Sequence, residues 1–223
     1  MKGFIAIFLC SCTLFAYCQD YTPVDRKEIQ KAVTDPALDT YYPRLIKKYE
    51  QFDSSLNGEQ YRLLYYGFAF QKGYTGYNDN RSQSIKESIR NKKYSEAIKT
   101  CDSVLEVIPV SLTINYLKGL CLFYKDPGDS IWVKYKDRYY NLVEAILSSG
   151  NGIECKTAFK TIFVADEYEI IYKVFDIKVF SGQVLKQPCD LLRIKGTDKF
   201  NHDEIYFDTS ETLEALEKSL KGK

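Results

Sequence analysis

The sequence is poor in the side chains that perform most catalytic and metal-binding work. It contains one histidine, His202, and one tryptophan, and its only methionine is the first residue. A single histidine excludes a metal site built mainly from imidazoles. The glycine-rich loops that cradle phosphate groups, G-x-x-x-x-G-K-[ST] and G-x-G-x-x-G, are absent as well. The residues therefore predict neither a cofactor nor a metal centre.

The chain also lacks an excess of charge of either sign. Its 31 Lys and Arg side chains face 30 Asp and Glu side chains, which gives a net charge of +1. Nucleic-acid binding and attachment to anionic membrane surfaces both depend on a surplus of cations. We therefore expect no nucleic-acid partner. The 45% apolar and 27% charged residues are typical of a globular protein.

Long apolar runs are absent except at the N-terminus. Lys2 precedes an apolar stretch over 4–16, which is the layout of a secretory signal peptide. This stretch is shorter than the ~20 apolar residues that span a bilayer. No later run of this length is free of charge, so we expect no transmembrane segment in the mature chain.

The end of this leader predicts the site of processing. Ala16 and Cys18 are the small residues that a signal peptidase requires, so a signal peptide over 1–18 should be cleaved between Cys18 and Gln19. The expected location is the periplasm or the outside of the cell. The alternative is a lipid anchor through Cys12, which ends a lipobox-like Leu-Cys-Ser-Cys.

Export would place the protein where disulfides persist. Four cysteines remain after the leader: Cys101, Cys121, Cys155 and Cys189. They allow three pairings, and the sequence does not choose among them. No C-x-x-C spacing occurs among them, which disfavours a zinc site.

Helical periodicity dominates residues 19–148. The apolar spacing predicts helices over 26–34, 43–52, 57–70, 93–107, 111–124 and 130–147. Asp25 with Glu28 can cap the first of these helices, and Asn57 with Gln60 can cap the third. The third helix is apolar all round, so it must be covered on more than one side. The polar stretch 72–91 is long for a loop in a compact domain, which is typical of functional or mobile segments, and part of it around 84–89 is expected to be helical. Residues 78–82 resemble a calcium loop only faintly, since the glycine and the closing glutamate are missing.

The character of the chain changes after Ser149-Gly150-Asn151-Gly152. The pattern there predicts strands over 158–164, 183–185, 190–194 and 204–207, a helix beginning near Asp166, and a last helix over 210–220. The predicted fold class is α+β. It comprises a helical, repeat-like region over 19–148 and a small region of antiparallel strands plus helix over 149–223, packed together as one unit.

The helical region resembles the tetratricopeptide repeat over 61–147. Gly67 and Gly119 are each flanked by large apolar residues, and Ala97 lies 12 residues before Pro109, as in that repeat. The segment 72–91 is expected to split the first helix pair. This resemblance implies stacked helical hairpins with a concave face.

The whole mature chain resembles an exported bacterial family known only as domain of unknown function 4919. The resemblance rests on five short motifs: Tyr41-Tyr42-Pro43, Leu64-Tyr65-Tyr66-Gly67-Phe68, Ser149-Gly150-Asn151-Gly152, Asp166-Glu167-Tyr168 and Ile205-Tyr206-Phe207-Asp208. It implies an exported protein of this size, and it implies no activity.

Few residues are candidates for chemistry. Cys189 with His202 could form a nucleophile and base of a hydrolase, although a solvated turn is the better interpretation of the histidine. Asp166 and Glu167 are adjacent acids that we expect to cap a helix and complement its dipole rather than to catalyse glycoside hydrolysis.

Tyrosine is abundant, with 19 residues. Most tyrosines lie on helices and are expected in the core, whereas Tyr74 and Tyr77 lie in the long loop and are the candidates for exposed ligand contacts. The sequence favours a non-enzymatic module that binds a protein or peptide. The alternatives are a Cys/His-dependent hydrolase and a glycan-binding protein that uses the two loop tyrosines.

Overall fold

The computed structural model of the chain describes residues 21–77 and 80–221. The predicted cleavage site between Cys18 and Gln19 and the alternative lipid anchor at Cys12 lie outside the described residues. Part of the calcium-like stretch 78–82 lies outside them too.

The described residues form nine α-helices and a four-stranded sheet. The helices are α1 Arg26–Thr34, α2 Tyr42–Glu50, α3 Gly58–Gly67, α4 Ser82–Arg90, α5 Tyr94–Leu105, α6 Leu112–Lys125, α7 Ile131–Leu147, α8 Val164–Glu169 and α9 Ser210–Lys221. The strands are β1 Phe159–Lys160, β2 Phe180–Lys186, β3 Cys189–Ile194 and β4 Glu204–Asp208. A π-helical turn over Ile170–Val174 continues α8. The α+β fold class is confirmed.

Polar side chains start the first helices as the sequence predicts. The Asn57 side chain accepts a hydrogen bond from the backbone N–H of Gln60, and the Gln60 side chain accepts one from the N–H of Asn57, which forms a capping box for α3. Asp25 caps α1 through the N–H groups of Lys27 and Glu28. These bonds satisfy donors that the first helical turn leaves unpaired.

The segment 72–91 does not split a helix pair, contrary to our expectation. It contributes α4, which packs on α5 through Ile85, a fully buried residue. Helix α5 packs on α6, α6 packs on α7, and α4 also contacts α6. The pairs are therefore α4 with α5 and α6 with α7, whereas α3 packs against α1, α2 and α7.

Two glycines allow helices to approach closely. A Cβ atom on Gly67 would lie 2.7 Å from a methyl carbon of Val33 and 3.1 Å from the ring of Tyr42, so α3 can reach α1 and α2 only without a side chain there. A Cβ on Gly119 would lie 3.3 Å from the Cβ of Tyr135. Gly119 thus sets the approach of α6 to α7.

The sheet has the strand order β1-β4-β3-β2. Strands β2, β3 and β4 pair antiparallel, but β1 pairs parallel to β4, so the sheet is mixed rather than purely antiparallel. The predicted strand over 158–164 shrinks to two residues. After Lys160 the Thr161 N–H still bonds the carbonyl of Asp208, and the chain then enters α8 at Val164.

The main hydrophobic core crosses the boundary near residue 149. Buried residues of α1, α2, α3 and α7 join those of β1, β3, β4 and the α8 region in one cluster. The Tyr66 hydroxyl on α3 can donate its hydrogen bond to either of two carbonyl oxygens, that of Ala145 at 3.0 Å or that of Lys160 at 3.1 Å. A smaller cluster lies between α4, α5 and α6. The helical part therefore shares its core with the strands.

Cys155 and Cys189 form a disulfide across a sequence separation of 34 residues. This is one of the three pairings that the sequence left open. Cys101 and Cys121 are free thiols, fully buried in the smaller cluster. Within 21–77 and 80–221, no helix is long and apolar enough to cross a membrane.

Candidate functional site

The helical part carries an open groove that residues 21–77 and 80–221 do not fill. Three adjoining cavities meet at Tyr116 on α6, with volumes of about 310, 370 and 460 Å³. Helix α4 forms one wall, α6 and α7 form the floor, and the π-helical turn after α8 closes one end. We call this surface the aromatic groove, and its apolar lining consists of Ile89, Tyr116, Leu117, Leu120, Phe123, Trp132, Tyr139, Tyr140, Val143, Leu147 and Val174.

The 310 Å³ cavity is the most apolar part of the aromatic groove, and we call it the anchor cavity. Phe123 and Trp132 form its outer wall in a T-shaped contact, with ring centroids 5.2 Å apart. Tyr140 forms the opposite wall and is 59% exposed, and Phe123 is 39% exposed. Large rings that stay exposed next to a cavity are typical of a surface that binds another molecule.

Cations lie beside these rings. The ammonium group of Lys173 is 4.9 Å from the centroid of the Tyr116 ring, and that of Lys136 is 5.6 Å from the Trp132 ring. Glu169 lies below the floor, where its carboxylate accepts a 3.0 Å hydrogen bond from Thr113. Burial raises the pKa of Glu169, and the Thr113 hydrogen bond and the nearby Lys173 oppose that rise.

The acids Asp166 and Glu167 do not act as caps. No side chain caps α8, and both acids are fully buried beneath the sheet and α3. Asp166 accepts a 2.6 Å hydrogen bond from the Tyr65 hydroxyl. Burial, then the charges of Asp190 and Asp166, raise the pKa of Glu167 to about 9, so Glu167 is protonated at neutral pH. The capping interpretation fails because α8 starts inside the core rather than at the surface.

The hydrolase alternative is wrong in this structure because its nucleophile is not a thiol. Cys189 is bonded to Cys155. In the β3–β4 ladder Cys189 is the strand partner of Asp208, at one end of the ladder. The exposed His202 precedes β4 and therefore lies near the other end. Four residue steps of that ladder alone separate the two sites by at least ~13 Å, which no hydrogen bond can span.

Tyr74 and Tyr77 line one cleft, but only Tyr77 is exposed, at 53%. The Tyr74 hydroxyl donates a 2.5 Å hydrogen bond to the carbonyl of Ile162, and its ring packs on Phe68 and Phe163. Burial raises the pKa of Tyr74. The expected exposure of Tyr74 is therefore wrong, because the loop folds back onto the core. The ligand role of the pair stays a prediction.

A second large cleft of about 520 Å³ lies between α1 and α9. Its charged groups are paired with one another: Arg26 bonds Glu211 at 3.0 Å and Glu214 at 2.9 Å, and Glu214 also pairs with Lys218. The Arg26 guanidinium covers the Phe70 ring at 4.7 Å. This cleft thus offers a ligand few unpaired groups, unlike the aromatic groove.

The sequence interpretation missed the aromatic groove. It treated the helical tyrosines, Tyr140 among them, as core residues. The available signal was a second apolar stripe on each of two helices: Tyr116, Leu120 and Phe123 at i, i+4 and i+7 on α6, and Trp132 and Tyr140 at i and i+8 on α7. A helix with two apolar stripes must be covered on two sides, and the described residues leave the second stripe open to the aromatic groove.

These features define an α+β protein whose helices present an open aromatic groove and whose sheet is cross-linked by a disulfide. The chain belongs to the family described as Domain of unknown function (DUF4919), whose model matches residues 27–218. The match confirms the resemblance noted in the sequence. No curated protein and no solved structure matches the chain.

Proposed function

We propose that the protein is a non-enzymatic binding module and that a segment of a partner protein occupies the aromatic groove. The observation that carries this proposal is a cavity that no side chain of the described residues fills, lined by the exposed rings of Phe123 and Tyr140 and by the half-buried ring of Trp132. Aromatic side chains that are free to be covered supply most of the binding energy in protein interfaces.

The arrangement of helices supports a linear ligand. The aromatic groove runs from α4 across α6 to α7, so a bound segment would cross several helices, as in proteins built from stacked helix pairs. Helix α4 belongs to the segment 72–91 that the sequence marks as functional. It contributes Lys86, Ile89 and Arg90 to the wall of the aromatic groove.

We also infer that the protein is exported after cleavage between Cys18 and Gln19. The leader supports this inference, and so does the Cys155–Cys189 disulfide, since such bonds persist in oxidising compartments. Intact-mass analysis of the exported chain tests it. A lipid on Cys12 or a retained leader would contradict it.

A displayed library of random 12-residue peptides tests the binding proposal. The full chain should enrich a peptide family, and Phe123→Ala with Tyr140→Ala should weaken binding of that family at least tenfold. The matched control is Tyr77→Ala with Phe180→Ala, which also removes two exposed rings, 53% and 38% exposed, neither of which lines the aromatic groove. The control should bind as the wild type does.

Two results would overturn the binding proposal. One is a library from which no peptide family is enriched over a blank support. The other is an enriched family that both double variants bind equally well, because the ligand would then lie outside the aromatic groove. Retained glycan binding that only Tyr77→Ala abolishes would favour the glycan alternative instead.

A further inference from the structure

The rim of the aromatic groove holds an unbalanced set of charges. Five cations line it: Lys86, Arg90, Lys136, Lys173 and Lys199. A single acid, Glu144, lines it with them. The whole chain is nearly neutral, with 31 basic and 30 acidic side chains, so this excess is a local property of the aromatic groove.

These cations differ from others in the same part of the molecule because they form no ion pair with any described residue. Lys118, on the same helix as Tyr116, is paired with Asp102, and Lys160 is paired with Asp208. Glu169 accepts a hydrogen bond from Thr113 and forms no ion pair with Lys86 or Lys173, although the charges of both lysines lower its pKa.

The spacing of the cations matches a linear anionic ligand. Lys86 and Arg90 are one helical turn apart on α4, so both face the aromatic groove from the same side. Lys136 lines the anchor cavity, and Lys199 lines the 460 Å³ cavity. Each of the three cavities therefore has at least one cation in its lining, so the positive charge is distributed along the aromatic groove rather than confined to one cavity.

The anchor cavity adds a second requirement. At about 310 Å³ it lies at the small end of the range for ligand pockets, which suits one or two large side chains rather than a whole small molecule. Its walls are chiefly ring and aliphatic carbon. Acidic polysaccharides carry the charge but no apolar side chain, so they satisfy only half of the site.

We propose, resting on the binding function above, that the ligand of the aromatic groove is an acidic segment of a partner protein. One aromatic or large aliphatic side chain of that segment enters the anchor cavity, and Asp or Glu side chains on both sides of it meet the rim cations. Charge complementarity of this kind sets specificity and speeds association, while the apolar anchor supplies affinity.

Synthetic 12-residue peptides test the proposal on the full chain. The first peptide carries one central Trp flanked by Asp and Glu, the second replaces every acid with Lys, and the third replaces Trp with Ala. Fluorescence anisotropy should show the first peptide binding at least tenfold more tightly than either of the others. Raising the salt from 50 to 500 mM should weaken its binding by roughly tenfold, since screening shortens the reach of exposed charges.

Variants of the protein locate the effect. Lys86→Glu with Lys173→Glu should weaken the binding of the acidic peptide at least tenfold. The matched control, Lys31→Glu with Lys47→Glu, makes the same change of net charge on exposed positions of α1 and α2 and should leave binding unchanged. Melting temperatures of both double variants should stay within a few degrees of the wild type, which separates binding from folding.

The outcomes distinguish this inference from the binding function on which it rests. In one outcome, library peptides bind the wild type, lose affinity when Phe123 and Tyr140 are replaced, and keep their affinity for Lys86→Glu with Lys173→Glu. That result would make the acidic-ligand inference wrong and leave the binding function standing. Tight binding of the all-Lys peptide, or of heparin in preference to the acidic peptide, would also overturn the inference. Failure of every peptide together with an empty library selection would overturn both.

Discussion

Tyr65 on α3 and Asp166 on α8 are 101 residues apart in the chain, and the tyrosine hydroxyl donates a 2.6 Å hydrogen bond to the carboxylate in a fully buried position. The same hydroxyl accepts a 3.2 Å hydrogen bond from the backbone N–H of Ile162. One phenol therefore ties the helical part to the start of α8. Removing it would leave two buried groups short of a partner.

Tyr65→Phe should destabilise the protein by ~2–3 kcal/mol, because a buried carboxylate and a backbone N–H each lose a hydrogen bond. Urea unfolding at neutral pH measures this loss. Tyr140→Phe is the control, since Tyr140 is 59% exposed, and it should change stability by less than ~0.5 kcal/mol. Equal effects of the two substitutions would contradict the importance of the Tyr65 bonds.

The helical region alone, expressed as residues 19–148, should not fold cooperatively. Tyr65 and Tyr66 lie on a helix that is buried on all sides, and both lose hydrogen-bond partners beyond residue 148 when the strands are removed. A broad thermal transition and binding of a hydrophobic dye are expected. A monomeric fragment with one sharp transition would show that the strands are not required.

Glu167→Gln should change how stability depends on pH. The folded pKa of Glu167 is about 9, against 4.5 for the free side chain. Below pH 4.5 both the folded and the unfolded states hold this proton. Between pH 4.5 and 9 only the unfolded state releases it, so the contribution of Glu167 to stability falls by up to ~1.4 kcal/mol per pH unit and then levels off.

Glutamine does not titrate, so the variant should gain stability relative to wild type as the pH rises from 5 to 8. Urea unfolding at four pH values across that range measures the difference. Glu144→Gln, on the exposed face of α7, should give a curve parallel to that of the wild type. A Glu167→Gln curve that is also parallel would show that Glu167 is ionised in the folded protein.

Cys155→Ser with Cys189→Ser should lower the free energy of unfolding by ~3–4 kcal/mol, because the disulfide closes a loop of 34 residues in the unfolded chain. A reductant should lower the melting temperature of the wild type toward that of the double variant and leave the double variant unchanged. Peptide mapping without reduction should recover the two cysteines in one linked pair. Linkage of Cys101 to either of them would contradict this assignment.

Tyr74→Phe and Tyr77→Phe form a matched pair of substitutions in one loop. Tyr74→Phe should cost ~1 kcal/mol because the carbonyl of Ile162 loses the shorter of its two side-chain hydrogen bonds and keeps the one from Thr212, whereas the largely exposed Tyr77 should tolerate the change. Thermal unfolding of both variants is the measurement. The opposite order of stability would mean that the loop does not pack as described.

The sequence predicted the regular elements well where local signals act alone. The helix over 26–34 and the Asn57–Gln60 box are confirmed, because capping and periodicity depend on residues a few positions apart. The prediction failed where residues that are distant in the sequence determine the environment of a side chain. The residues next to Asp166 in the sequence indicate a helix cap. Its actual environment is set by α3 and the sheet, which bury it.

The aromatic groove shows the same limit. The stripes on α6 and α7 are visible in the sequence, but which stripe the chain itself covers depends on how α4 folds against α5. Within the polar stretch 72–91 the sequence predicted a helix around 84–89, which is confirmed as α4, Ser82–Arg90. The packing of α4 against α5 and α6 depends on distant residues and was not predicted. The strand over 158–164 was predicted too long, since its β-branched residues enter the core without pairing.

Tyr65 and Tyr66 on α3 bond residues far along the sequence, which has a consequence for the chain while it is being synthesised. Tyr65 meets its partners 97 and 101 residues later, and Tyr66 bonds a carbonyl 94 residues later. Contacts between such distant residues form late and slow the folding of a chain. While the ribosome is still producing residues before 160, the helical half cannot complete its core. Tyr65 and Tyr66 therefore stay without these partners in the nascent chain until most of it has been synthesised.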